Sequence, residues 1–136
     1  MTRPAERPIL FSGPMIRAIL AGTKTQTRRV VAGGIPSGAV VAVLAGTTSL
    51  ADMTAAGARC PYTADRLWVR ETWAMHHAWD KSPPGPTARS KSLWYRADNA
   101  DHIIDGRGRW RPSIHMPRWA SRILLRVESI RVERLQ

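Results

Sequence analysis

The apolar positions change their period along the chain, and each change marks an element. After Ser12-Gly13-Pro14, Met15, Ile16, Ile19 and Leu20 recur at helical spacing, and Gly22 follows. A serine that can cap, a proline in the first turn and a glycine past the last apolar residue predict one short helix. Thr25 to Val31 is rich in β-branched residues and predicts a strand, which Gly33-Gly34 and Pro36-Ser37-Gly38 bring to an end. Residues 32–64 are dominated by Gly, Ala, Ser and Thr, with Val40 to Leu44 as a further strand candidate, and are expected to form a long loop insertion.

From Arg66 the period becomes two. In Arg66-Leu67-Trp68-Val69-Arg70-Glu71-Thr72-Trp73, Leu67 and Val69 fall on one face and Trp68, Arg70 and Thr72 on the other, so parity puts Glu71 on the apolar side. A second long loop, about 74–91, contains Pro83-Pro84-Gly85-Pro86 and is incompatible with a sheet interior. Ser92 to Ala97 predicts another strand. Arg122 to Leu135 predicts a last, long one: Ile123, Leu125 and Val127 share a face, Ile130 and Val132 take the other, and a bulge near Glu128-Ser129 reconciles them. Short strands, one or two short helices and a strand that bends between faces predict an α+β fold, with a compact, strongly curved mixed sheet or a small barrel, in a single domain spanning 1–136.

Charge narrows the partners. The 136 residues carry 21 Lys and Arg against 10 Asp and Glu, a formal net charge of +11. Such an excess favours polyanions, and RNA suits it better than a membrane, because the sequence contains neither an apolar run of roughly 18 residues nor a long basic amphipathic helix. The basic start has no apolar stretch after it, so no secretory signal is expected and the cytoplasm is the expected compartment. Cys60 is the only cysteine, and His76, His77, His102 and His115 lack a metal-binding spacing, so no metal and no cofactor are expected. Cys60 and His115 are read as packing and loop residues. The oligomeric state is open.

The segment Gly22-Thr23-Lys24-Thr25-Gln26-Thr27-Arg28-Arg29 resembles the signature of the ASCH domain family, a Gly-x-Lys followed by Thr or Glu and then Arg. Asp65-Arg66-Leu67-Trp68-Val69-Arg70-Glu71-Thr72-Trp73 is similar to a strand of phage and prophage members, with Ala64 where they usually have Gly. The tract from Trp110 to Arg122 resembles the same subgroup, while residues 32–64 look shorter and richer in Gly and Ala than the insert of many relatives. The resemblance implies a PUA-like barrel with a helix beside a cleft. It also implies a choice of activities: hydrolysis of N4-acetylcytidine by a Lys, a Thr and a Glu, cleavage of RNA, or RNA binding without chemistry.

Carried onto this chain, the catalytic set is Lys24, Thr27 and Glu71. An amide hydrolase needs a nucleophile, a group that takes its proton and an acid for the departing amine. Residues three apart in a regular strand face opposite sides, so Lys24 and Thr27 converge only if Lys24 belongs to the turn after Gly22. The structural alternatives are Thr27 as an ordinary strand residue, Lys24 as a solvated charge at the helix exit and Glu71 as an ion-pair partner of Arg29. A ligand-binding set is drawn from Arg28 and Arg29 and from Arg109, Trp110, Arg111, Arg118, Trp119 and Arg122, where guanidinium groups alternate with indoles that can stack a base. Arg107 belongs to the same tract. Its alternative is loop packing, with Trp110 or Trp119 capping an open barrel end and the arginines solvated. The two functional expectations are a hydrolase of an acylated nucleoside or of RNA, and a non-catalytic RNA-binding or phage regulatory module; a host or phage protein partner is a third.

Overall fold

The structure is a computed structural model that describes residues 4–29, 65–81, 92–98 and 105–130. It is a small α+β fold. In chain order the elements are β1 (Glu6–Leu10), α1 (Gly13–Leu20), β2 (Arg66–Arg70), β3 (Trp73–Met75), β4 (Leu93–Tyr95) and β5 (Leu124–Arg126), with 3₁₀ turns at His77–Trp79, Ser113–His115 and Arg118–Ala120. One sheet has the strand order β1-β2-β5, and the other pairs β3 with β4. The expected strand Val40 to Leu44, the insertion 32–64 and the Pro83 to Pro86 loop lie outside the described residues.

The chain divides into two compact units. The described part of the first comprises residues 4–7, 28–29, 65–67 and 126–130. Its backbone is tied through Asp65 and Arg66. The Ala5 amide donates to the Asp65 carboxylate at 2.9 Å, the Arg66 amide to the Ala5 carbonyl at 3.1 Å, and the Val127 amide to the Asp65 carbonyl at 3.1 Å.

The second unit, residues 8–27, 68–81, 92–98 and 105–125 among those described, holds the helix and most of the core. Helix α1 starts directly after Ser12, which is extended but does not make the side-chain capping bond expected of it, and Pro14 lies in its first turn. Its exit is a Schellman motif: Thr23 N–H donates to the Ala18 carbonyl at 2.9 Å and Gly22 N–H to that of Ile19 at 3.0 Å. Gly22 sits at φ +73°, a conformation that favours glycine, which is why the stop is legible in the sequence. Ile16 anchors the buried face of α1.

Downstream, β3 and β4 are antiparallel, with Trp73 opposite Tyr95 and Met75 opposite Leu93. Trp73 also exchanges both backbone bonds with Arg111, at 2.7 and 3.2 Å. Trp73, Met75, Met116 and Ala120 form a buried cluster, against which Trp79, Leu93, Tyr95 and Trp119 pack, and the Trp119 ring meets that of Trp73 edge-on at 5.9 Å.

Several expectations are corrected. Thr25 to Arg29 has no strand structure; these side chains are exposed and the Lys24 ammonium bonds to the Gln26 carbonyl at 2.7 Å, so β-branched propensity finds no sheet to satisfy it. The expected strand 66–73 is two strands with a break at Glu71-Thr72, because the Arg70 carbonyl accepts from Phe11 N–H while that of Thr72 accepts from Arg96 N–H. The expected loop from residue 74 begins with the end of β3 and a 3₁₀ turn, and the last strand is confined to Leu124–Arg126 within the described residues. β1 was not expected, since Pro8 and flanking charges mask it.

The segment that lies antiparallel to β3 around Gly108 depends on that glycine. Both Asp80 carboxylate oxygens accept from the Arg109 amide, at 3.0 and 3.1 Å, and a methyl group at Gly108 would collide with that carboxylate. Gly108→Ala is expected to cost about 1–3 kcal/mol in urea unfolding, and most of that cost is expected to vanish in an Asp80→Ala background, where the obstacle is gone.

Candidate functional site

Glu71 is 2% exposed, in keeping with its place in the alternation with Leu67 and Val69. A carboxylate so placed needs a cation. Arg122 supplies it with a two-pronged contact, Nε to Oε1 at 2.8 Å and Nη2 to Oε2 at 3.0 Å. The same guanidinium binds Asp98 through Nη1 and Nη2 and lies over the Tyr95 ring at 4.1 Å. Burial works to lower the Arg122 pKa, but its hydrogen bonds to Glu71 and Asp98 outweigh that and hold the group above its ordinary value. Burial raises the pKa of the Tyr95 phenol against the opposing effect of Arg122, and its hydroxyl donates to the Ala120 carbonyl at 2.8 Å.

Beside this node opens a cleft of about 410 Å³. Ser12, Gly13 and Arg17 line it from the start of α1, Glu71 and Thr72 from the break between β2 and β3, and Arg96 from the turn after β4. The Ser12 side chain makes no capping bond and the first turn of α1 carries no acid, so the end of the helix dipole that favours negative charge is unanswered by a side chain there. Arg17 gives one Nη1 donor to the Ala97 carbonyl at 3.2 Å. With the Glu71 charge matched by Arg122, the cleft presents two further guanidinium groups to whatever enters it.

Of the residues expected to catalyse, Glu71 lines this cleft; Lys24 and Thr27 are not among its described lining residues. Lys24 does belong to the turn after the helix, its amide donating to the Ala18 carbonyl at 3.1 Å, and its ammonium stands 5.9 Å from the Phe11 ring centre. Thr27, Arg28 and Arg29 are exposed. The ion pair that was the structural alternative for Glu71 is formed, but with Arg122 and not with Arg29, and the sequence pattern had assigned Arg122 to ligand.

The basic aromatic tract is largely turned on the protein itself. Arg111 donates to the Trp79 carbonyl at 2.9 Å, and the Arg107 guanidinium stacks over Trp110 at 4.3 Å. Trp119 packs on Trp73, and Arg118 stands 5.9 Å from the Trp68 ring, whose other neighbour is Arg70 at 4.7 Å. Arg109 is exposed. Arg17, Arg96 and Asp98 were missed; the position of Arg17 one turn after Ser12-Gly13-Pro14 was the one available signal, whereas Arg96 and Asp98 reach the site through tertiary pairing. Among the described residues no three His, Cys, Asp or Glu side chains are grouped to hold a metal, and no helix is long and apolar enough to cross a membrane.

No family model matches the chain, and neither a curated protein nor a solved structure matches it.

Arg122→Ala is expected to lower unfolding stability by about 3 kcal/mol, since it strands a buried carboxylate. Asp98→Ala, which removes an exposed partner, is expected to cost less than about 1 kcal/mol in the same urea titration.

Proposed function

We propose that this chain is an ASCH-type, PUA-like protein of phage or prophage kind that binds RNA or a modified nucleoside in the α1 cleft. The observation that carries the reading is the cleft itself: a recess of about 410 Å³ falls in the size range of small-molecule sites and has a buried, fixed carboxylate in its lining. Glu71, oriented by Arg122, offers acceptor oxygens to the N–H groups on a base edge, and Thr72 and Ser12 add hydroxyls. The net charge of +11 draws a polyanion toward the protein in the host cytoplasm. The motif residues Gly22, Lys24, Thr27 and Arg29 follow directly on the helix that walls the cleft, as the family resemblance requires.

A second reading is amide hydrolysis of N4-acetylcytidine by Lys24, Thr27 and Glu71. It is favoured by one specific contact chain. Lys24 stands over Phe11, the residue before the cleft wall begins, and Phe11 N–H bonds to the Arg70 carbonyl, one residue before Glu71. On this reading Thr27 attacks the acetyl carbonyl as the neutral Lys24 amine takes its proton, the cytosine nitrogen leaves with the proton returned by Lys24, and water then cleaves the acetyl ester on Thr27 to release acetate. A carboxylate held by two Arg122 bonds is better suited to receiving the base N–H than to donating a proton.

Incubation of the purified protein with N4-acetylcytidine and with mixed RNA, followed by chromatography of the products and a parallel binding titration, separates the readings. Salt-sensitive RNA binding without turnover is the expected result. If cytidine is released, the second reading takes over, and Lys24→Ala, Thr27→Ala and Glu71→Ala should each remove most activity, with double variants adding little. Absence of both binding and turnover would overturn the proposal.

A further inference from the structure

We infer that the cleft takes a phosphorylated ligand, a nucleotide unit and not a free nucleoside, with Arg17 and Arg96 as the residues that hold its phosphate. The inference rests on the binding reading above and narrows its ligand class.

The charges around the recess decide the matter. Among its described lining residues the one carboxylate, Glu71, is paired with Arg122, and Asp98 shares that same guanidinium. Two carboxylates on one guanidinium leave a single net negative charge, which the two cleft arginines outweigh. Arg17 commits one donor to the Ala97 carbonyl, and the Arg96 side chain has no hydrogen bond or ion pair among the described residues. Two guanidinium groups therefore line a recess of about 410 Å³, and among the described residues neither has a carboxylate bound to it. A neutral nucleoside would leave both cations unmatched as it displaced their water, whereas a phosphate accepts charge-assisted bonds from each, and the guanidinium fork suits that geometry. Thr72 and Ser12 put hydroxyl donors on the same walls.

The Arg/Trp tract differs in this respect. Arg107 lies over its own Trp110, and Arg111 is spent on the Trp79 carbonyl. Exposed Arg109 therefore serves as a control for diffuse charge.

The test is calorimetric titration of the whole protein at low salt with cytidine, cytidine 5′-monophosphate, cytidine 3′-monophosphate, inorganic phosphate and a short RNA. A monophosphate is expected to bind at least about tenfold more tightly than cytidine, the equivalent of one charge-assisted hydrogen bond. Arg17→Ala and Arg96→Ala should each erase most of that ratio, and Arg109→Ala should leave the ratio intact. Arg17→Lys, which keeps the charge but loses the fork, should retain part of it. A short RNA that binds more tightly than either monophosphate identifies the polymer as the source of the phosphate; equal affinity identifies a free nucleotide, and either upholds the inference. Equal affinity for cytidine and its monophosphates would overturn it while leaving the nucleoside-binding reading intact. So would inorganic phosphate binding as tightly as the nucleotides, or an Arg109→Ala effect as large as that of Arg17→Ala. If none of the nucleoside, nucleotide or RNA binds, the function proposed above falls with it.

Discussion

A carboxylate with only 2% of its residue exposed does not sit in a protein interior without a cation held against it, and the placement of Glu71 therefore dictates much of what surrounds it. Arg122 meets that requirement with two bonds, and the rest of its guanidinium is then fixed in direction. It turns toward Asp98 and lays its face on Tyr95, whose hydroxyl reaches the Ala120 carbonyl. Ala120 in turn belongs to the buried cluster with Trp73, Met75 and Met116. One ion pair thus couples the break after β2, the end of β4, a 3₁₀ turn and the approach to β5.

The same pair sets the electrical character of the cleft. Were Glu71 free, it would compete with an incoming anion for Arg17 and Arg96. Matched by Arg122, it becomes a fixed set of acceptor oxygens, and the two remaining arginines give the cleft its positive sign. Structure and recognition meet in one residue. Arg122 acts by positioning Glu71 with two of its donors and gives two more to Asp98.

How much of this the sequence could reveal depends on whether a feature is local. Helix α1 was readable to its last turn, because Pro14 and Gly22 act within a few residues of where they stand, although the expected Ser12 cap bond is not made. The alternation around Leu67 and Val69 likewise marked Glu71 as inward. The break at Glu71-Thr72 was not readable, since it arises from an exchange of partners, Phe11 on one side and Arg96 on the other. Thr25 to Arg29 misled for a related reason: β-branched residues describe what fits a sheet, not whether a sheet is there. In the tract from Arg107 to Arg122, alternating arginine and tryptophan is equally compatible with stacking a base and with stacking the chain's own rings. Arg107 on Trp110 and Trp119 on Trp73 show the second use. The cleft drew its arginines from α1 and from the turn after β4, two segments far apart in the chain, and spacing could not have joined them.

The central claim is that ligand enters beside Glu71 and not along the Arg/Trp tract. Titration of ¹⁵N-labelled protein with cytidine 5′-monophosphate, followed by amide chemical shifts, tests it most directly. The account requires the resonances of Gly13, Thr72 and Arg96 to move together and saturate at one affinity, with those of Arg109 and Ile114 unmoved. Shifts centred on Arg107 to Trp119, with Gly13 and Thr72 unchanged, would contradict it.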